Sequence, residues 1–211
     1  MEGSKDLARD MLSALKIDDD GFILSFAKGV ISYPTTMYYL GYDFIDTDNR
    51  SANFNDRERI FKLIKKGLLK KDVLLKVVNV FIKRFVDKVD VKNIAIDVAG
   101  SFIGKAAFNE MTGIKLGAIL SQRLVASYAV GILAGGLLTF GAETSRSIYT
   151  SRSLKFRNPR AYEQLRQMGD LDLLYYLVEN KVKPFEKAEA LSSSDPVAFK
   201  EVCHIFFNGC K

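Results

Sequence analysis

The residue types best suited to catalysis or metal binding are few and lie near the end of the chain. The single histidine, His204, follows Cys203, and the second cysteine is Cys210. Adjacent helix positions point about 100° apart, so Cys203 and His204 do not face each other as a nucleophile and its base must. One histidine and two cysteines are also too few for a tetrahedral zinc site without carboxylates or a second chain. We predict no catalytic or metal site here, and the two cysteines are either reduced thiols or the ends of a small disulfide loop.

Motifs that hold phosphates or activate a nucleophile do not occur in the sequence. There is no G-x-x-x-x-G-K-S/T, no G-x-G-x-x-G and no G-x-S-x-G. The acidic residues 18–20 before Gly21 do not form an EF-hand loop, because its first and twelfth positions would be Lys16 and Ala27. We therefore predict no cofactor, no small-molecule substrate and no enzymatic activity.

Hydrophobic periodicity indicates helices along the whole chain, with no strand alternation of useful length. We predict an all-α fold, a bundle of roughly eight to ten helices around a central apolar, glycine-rich helix or helical hairpin. The 211 residues fit one domain. Its predicted parts are N-terminal helices and a loop at 1–56, basic amphipathic helices at 57–92, an apolar hairpin at 93–142 and short C-terminal helices at 143–211.

Local signals in the first part predict a loop followed by a helix. Residues 35–55 are rich in Tyr, Thr, Asp and Asn, which is typical of an ordered loop with at most a short helix at 37–40. Asn55 with Glu58 three residues later resembles a capping box. We therefore predict that a helix begins at Asn55.

Helix start and stop signals are stronger in the last part of the chain. Asn158 followed by Pro159 predicts an N-cap and a first helical position, and Gly169 predicts the end of that helix. Pro184 predicts the end of the next helix, because proline interrupts helical hydrogen bonding. A final helix is predicted to open at Pro196.

Residues 57–92 form a strongly basic block. They contain twelve Lys or Arg and four Asp or Glu, a local net charge of +8 in a chain whose net charge is +6. Amphipathic basic helices of this composition lie on anionic membranes, although the same pattern also describes a bundle helix with a solvated lysine face. Its aromatic residues fall on the apolar face, which argues against nucleic acid as the partner. The predicted lipid-docking residues are Lys62, Lys65, Lys66, Lys70, Lys71, Lys76, Lys83 and Arg84.

Two apolar segments follow, at residues 94–108 and 116–142. Within the second, residues 124–142 carry no charge over nineteen positions. That is close to the length of a membrane-spanning helix, and it also suits a buried core helix. Small residues recur at four-residue spacing and predict close helix–helix packing. They are Gly100, Gly104, Gly113, Gly117, Ser127, Gly131 and Gly135.

The pattern of basic helices at 57–92 around the apolar pair 94–108 and 116–142 resembles the pore-forming domains of colicin-type bacterial toxins. In that family an apolar helical hairpin lies inside an all-α domain, close to the C-terminus. Here a polar stretch at residues 143–211 follows the hairpin. The resemblance implies a toxin that inserts its hairpin into a membrane and forms a pore.

The leading hypothesis is therefore a membrane-active helical protein, a bacterial toxin or effector used in competition, with an anionic membrane surface as its partner. The alternative is a soluble helical module that binds a protein partner, such as an immunity or antitoxin-like protein, with the apolar helix as its core. The N-terminal residues lack the apolar stretch of a secretory signal. We accordingly expect a cytoplasmic protein as synthesised, which then associates with a membrane or is exported by a non-classical route.

Overall fold

The computed structural model describes residues 3–15, 33–65, 71–90, 112–113, 116–117 and 137–209. These residues are helical, with no strand among them, which confirms the all-α prediction. The α-helices in these ranges are α1 (Ser4–Leu15), α2 (Tyr33–Ile45), α3 (Arg50–Lys65), α4 (Lys71–Lys88), α5 (Leu137–Arg157), α6 (Pro159–Gln167), α7 (Tyr175–Ser194) and α8 (Pro196–Gly209). A 3-10 helix at Leu171–Leu174 precedes α7.

The chain divides into two compact units. Unit 1 contains Met1–Ile17, Val78–Ser121 and Glu179–Lys211, and unit 2 contains Asp18–Val77 and Gln122–Val178. Each unit therefore gathers stretches that are distant in the sequence. The single domain expected over residues 1–211 stays a prediction.

The core of unit 1 is built around Phe85 of α4, which is fully buried. Its ring lies next to four other phenylalanine rings, most of them edge to face, the arrangement that aromatic quadrupoles favour. The ring centroids lie 5.6 Å away for Phe185 of α7 and 6.1, 5.9 and 6.3 Å away for Phe199, Phe206 and Phe207 of α8. This cluster ties α4, α7 and α8 together.

The amphipathic helix α1 packs against α8 in the same unit. Its buried residues, Leu7, Ala8, Met11 and Ala14, follow helical spacing and form one apolar face. The approach is close: a Cβ added at Gly209 of α8 would lie 2.5 Å from Cδ1 of Leu12. Burial of the apolar face stabilises α1, which at twelve residues would be marginal as an isolated helix.

Unit 2 is organised around α5, which packs against α2, α3, α6 and the 3-10 helix. Ile148 and Leu154 of α5 are fully buried. The same helix also buries three hydroxyl side chains with hydrogen-bond partners, Ser145, Ser147 and Ser151. Helix α5 is therefore held in unit 2 by polar bonds as well as by apolar packing.

Two sequence expectations in this unit are wrong. The region expected to be a loop at 35–55 contains the thirteen-residue helix α2, whose Pro34 lies in the first turn, where proline is tolerated. Helix α3 begins at Arg50 rather than Asn55. Asn53 is buried and bonds to neighbouring side chains, so tertiary contacts extend the helix beyond the local capping signal.

The boundaries of α6 are confirmed. The side chain of Asn158 accepts a hydrogen bond from the Ala161 amide at 3.2 Å, and Gly169 follows the helix with φ of +97°, a conformation that glycine adopts without strain. The opening of α8 is also confirmed, since Asp195 accepts from the Ala198 amide at 3.0 Å.

The expected break at Pro184 is wrong, because Pro184 lies inside α7.

Most of the predicted apolar hairpin at 93–142 lies outside the described residues, namely 93–111, 114–115 and 118–136. Its last six residues, 137–142, form the first turns of α5. The uncharged run therefore continues without a break into a helix of unit 2.

Candidate functional site

One polar group in unit 2, the Arg59 cluster, joins α3, α5 and the 3-10 helix before α7. It consists of Asp56, Arg59, Ser151, Arg152, Asp170 and Asp172. The three donating nitrogens of Arg59 each reach a different carboxylate: Nε to Asp170 at 2.7 Å, Nη1 to Asp56 at 2.8 Å and Nη2 to Asp172 at 2.6 Å. The guanidinium of Arg59 therefore connects α3 to the 3-10 helix and to the residue that precedes it.

Two residues of α5 complete the Arg59 cluster. Ser151 donates to the second oxygen of Asp172 at 2.6 Å, and Arg152 donates to the second oxygen of Asp56 at 3.0 Å. Asp172 has a side chain with no exposed area, so both of its oxygens are satisfied inside the protein. A buried carboxylate needs such partners, because burying an unpaired charge is costly.

The residues around Arg59 stabilise the charged form of its guanidinium. Burial alone lowers the pKa of Arg59, but the hydrogen bond and negative charge of Asp172, followed by the bonds to Asp170 and Asp56, outweigh burial and raise this pKa above its usual value. The guanidinium therefore remains charged at every pH at which the protein is folded.

A second group, the Asp43 cluster, joins α2, α3 and α5. It consists of Asp43, Asp46, Asn53, Arg57, Ser145 and Tyr149. Asp43 accepts from Asn53 at 2.9 Å and from Ser145 at 2.8 Å, and it also pairs with Arg57. Each of the three helices thus supplies at least one member.

The phenol of Tyr149 connects the Asp43 cluster to the loop after α2. Its hydroxyl donates to Asp46 at 2.8 Å and accepts from Asn53 at 3.1 Å. Burial first, and then the hydrogen bond to Asp46, raise the pKa of Tyr149, so the phenol stays protonated. Hydrogen bonds from Asn49 and Tyr149 lower the pKa of Asp46.

Both clusters connect helices of unit 2 through hydrogen bonds and ion pairs, and their side chains are engaged in this structural role. Their carboxylates are bound to arginines and hydroxyls, and burial of Tyr149, together with its hydrogen bond to Asp46, keeps the phenol protonated. Among the residues that the structure describes, no group of three His, Cys, Asp or Glu side chains has the geometry to hold a metal ion. The clusters fix α2, α3 and α5, and so fix the surfaces that these helices present.

One such surface is the aromatic face of α2, formed by Tyr38, Tyr42 and Ile45 at helical spacing, while Phe44 is exposed on another side of the same helix. Phe44 is 86% exposed and Ile45 70% exposed. The rings of Tyr38 and Tyr42 stack at 6.4 Å, and Tyr42 meets Tyr149 edge to face at 4.8 Å. Contiguous exposed apolar patches are common at sites of contact with a protein or a membrane.

A second surface, the cationic corner, lies where α5 ends and α6 begins. It consists of Lys155, Phe156, Arg157 and Arg160, which are all exposed. The ammonium of Lys155 lies 5.7 Å from the centroid of the Tyr162 ring, a cation–π contact that positions it. Phe156 is 87% exposed. The sequence places Lys155 and Arg157 in the basic stretch that follows the apolar run, but nothing in it indicates that Phe156 is exposed between them.

The predicted lipid-docking residues fall into three groups. Lys62, Lys76 and Lys83 are exposed, whereas Arg84 forms a two-point ion pair with Glu189, with its nearer contact at 2.6 Å. The remaining residues have side chains outside the described part of the structure. They are Lys65, Lys66, Lys70 and Lys71.

The predicted packing residues, six glycines and one serine, are described only in part. Gly113 is half-buried and Gly117 is buried, each within a short helical stretch. The others lie outside the described residues. They are Gly100, Gly104, Ser127, Gly131 and Gly135. Their role in helix packing stays a prediction.

No protein-family model, no curated protein and no solved structure matches this chain. In the described ranges, none of the helices combines the length and hydropathy needed to cross a bilayer.

Proposed function

We propose that the protein is a membrane-active effector, a bacterial toxin that inserts the apolar segment at residues 93–142 and permeabilises the target membrane. The nineteen uncharged residues 124–142 supply nearly the length that a membrane-spanning helix requires. The basic excess of the chain, +6 overall, favours an anionic bilayer as the target.

The observation that carries this proposal is the composition of α5 along its length. Residues 137–142 belong to the uncharged run, whereas the next turns carry Ser145, Ser147, Tyr149 and Ser151, each bonded within unit 2. One helix therefore joins the apolar run directly to a folded unit. An apolar segment that entered a bilayer would remain attached to unit 2 through this helix.

The test is leakage of a trapped dye from anionic vesicles. We expect wild-type protein to release the dye at low salt and to release less at high salt, since screening weakens docking. Replacing Ile132 with Asp should suppress leakage, because an aspartate at the centre of a spanning helix costs about 2.5–3.5 kcal/mol. Monodisperse wild-type protein that releases no dye at any salt concentration would contradict the proposal.

Val197 provides the matched control for that substitution. It is exposed near the start of α8, where an aspartate is compatible with the helix dipole. Val197→Asp should release dye from the vesicles as wild type does. Far-UV circular dichroism should show that both variants keep their helical content. Equal leakage by Ile132→Asp and wild type would rule out insertion of the run.

A second candidate function is a soluble module that binds another protein, such as an immunity or antitoxin-like partner. The aromatic face of α2 favours it, because tyrosine-rich exposed surfaces are common at protein interfaces and the adjoining loop carries the acidic Asp46 and Asp48. This candidate predicts no flotation with vesicles and no leakage. It also predicts a partner complex that Ile45→Ser disrupts and Phe61→Ser preserves.

A further inference from the structure

We propose that the cationic corner, Lys155, Phe156, Arg157 and Arg160, is the point at which unit 2 docks on an anionic lipid bilayer. This inference rests on the proposed membrane function, which it deepens by naming the residues that meet the lipid. It also places the docking surface after the apolar run rather than in the basic block before it.

The first argument is the way Phe156 is presented. From Thr144 to Arg152, and again at Leu154, the side chains of α5 are buried or half-buried, and then Lys155, Phe156 and Arg157 are exposed in succession. The side chain of Asn158 caps α6 immediately afterwards, so the chain direction changes at a defined position. Phe156 is therefore held out at a structured corner, and at 87% it is the most exposed of the large apolar side chains that the structure describes.

The second argument is local charge. Between residues 153 and 166 there are four cations, Lys155, Arg157, Arg160 and Arg166, and one carboxylate, Glu163; Arg152, just before them, is already paired with Asp56. Cations near the C-terminus of α5 also interact favourably with its dipole, which accounts for Lys155 and Arg157. That effect does not account for Arg160, which lies in the first turn of α6, where the dipole disfavours a cation. Nor does it account for an exposed phenylalanine among the charges.

Cations around an exposed aromatic ring match the chemistry of a bilayer surface. Lysine and arginine meet the lipid phosphates, while a phenylalanine, which has no polar tip, enters the boundary between headgroups and acyl chains. Single-stranded nucleic acid fits less well, because it is bound on a row of rings that stack successive bases. The corner offers one exposed ring.

The pair Phe61 and Lys62 on α3 is the closest comparison in the described structure. Phe61 is also exposed, at 64%. However, Glu58 precedes it by one turn, and Arg57 is paired with Asp43. The positive charge around Phe61 is therefore partly offset, so this pair serves as a matched control for the corner.

The chain contains no tryptophan, so Phe156→Trp creates a single fluorescent reporter at the corner, and Phe61→Trp creates one at the control site. On mixing with vesicles of phosphatidylcholine and phosphatidylglycerol, the emission of Phe156→Trp should shift to the blue and be quenched by brominated acyl chains. The emission of Phe61→Trp should stay that of a water-exposed indole. Pure phosphatidylcholine vesicles should give neither response.

Substitutions at the cationic corner measure how much each side chain contributes to binding of anionic vesicles. Phe156→Ser should weaken partitioning onto anionic vesicles about tenfold, the worth of burying one large apolar side chain. Lys155→Gln and Arg160→Gln should each weaken it about fivefold, the contribution of one basic residue near an anionic surface. Phe61→Ser and Lys62→Gln should change it less than twofold. Partitioning is measured by flotation through a density gradient.

Three outcomes would overturn the assignment. In the first, the protein floats with anionic vesicles but the Phe156→Trp emission does not shift; docking then occurs elsewhere, and the proposed function stands. In the second, the Phe61→Trp reporter responds instead. In the third, soluble polyglutamate shifts the Phe156→Trp emission as strongly as vesicles do, which would identify a partner other than lipid. Conversely, a blue shift without dye leakage would support docking at the corner and count against permeabilisation.

Discussion

Arg59 and Asp172 are 113 residues apart in the sequence, yet Nη2 of the arginine lies 2.6 Å from Oδ1 of the aspartate in the interior of unit 2. The aspartate is completely buried, and the arginine is 12% exposed. This pair joins α3 to the 3-10 helix before α7. Because α5 bonds to the same aspartate through Ser151, the pair lies at the meeting point of three parts of unit 2.

Removing the arginine should destabilise the protein more than removing the aspartate's charge. Arg59→Met leaves Asp172 buried without its cation, and breaking a buried pair in this way costs about 3–5 kcal/mol. Asp172→Asn should cost less, because Arg59 keeps Asp56 and Asp170. Urea unfolding followed by circular dichroism measures both changes. The exposed Asp48→Asn should move the midpoint little, and equal losses for Arg59→Met and Asp48→Asn would contradict the structural role of the pair.

The folded protein should lose stability in acid partly through Asp46. Hydrogen bonds from Asn49 and then Tyr149 lower the pKa of Asp46 in the folded state. A lowered folded-state pKa contributes stability that is present above the unfolded value, about 4, and is lost as the pH falls through the folded value. The wild-type melting temperature should therefore fall more steeply below pH 4 than that of Asp46→Asn. Parallel pH profiles for the two proteins would refute this contribution.

Cys203 should be an unreactive thiol in the folded protein. Burial raises the pKa of Cys203 to about 12, and the thiolate is the reactive form. In a Cys210→Ser background at pH 8, Ellman's reagent should therefore react about a thousandfold more slowly with native than with urea-unfolded protein. As a control, Val197→Cys in a chain without the two natural cysteines should react at the rate of a free thiol, since Val197 is exposed. Rapid reaction of native Cys203 would contradict its burial.

Replacing a buried phenylalanine should lower the free energy of unfolding much more than replacing an exposed one. Phe85 is fully buried among four other rings, and Phe85→Ala should cost about 3–5 kcal/mol of the free energy of unfolding. Phe156→Ala should stay within about 0.5 kcal/mol of wild type, as expected for an exposed site. Chemical denaturation of the two variants measures the difference. A large loss for Phe156→Ala would show that this side chain stabilises the fold rather than a docked state.

Sequence reasoning succeeded where structure is decided by neighbouring residues. Asn158 and Gly169 mark the ends of α6 because a cap and a left-handed glycine act on the backbone beside them. It failed where packing decides. Helix α2 has the composition of a loop, but it packs against α5, and tertiary contacts supply most of the stability of such helices.

Pro184 illustrates the same limit. Proline in a helix interior costs about 3 kcal/mol, so the sequence predicts a break. In the structure, Val182, Phe185 and Ala188 are fully buried on either side of it, and burial of these side chains offsets the cost of continuing α7. Nor could the Arg59 cluster be predicted, because its members are scattered in the chain and no periodicity connects Arg59 with Asp170 or Asp172.

The packing of α1 on α8 has a consequence for synthesis of the chain. About 180 residues separate Leu15, the last residue of α1, from Pro196, the first of α8. At about 5–20 residues per second, a ribosome needs about 9–36 s to cover that distance. During this time, the apolar face of the nascent α1 has not yet met the helix on which it finally packs. The packing of α1 on α8 can therefore form only late in translation.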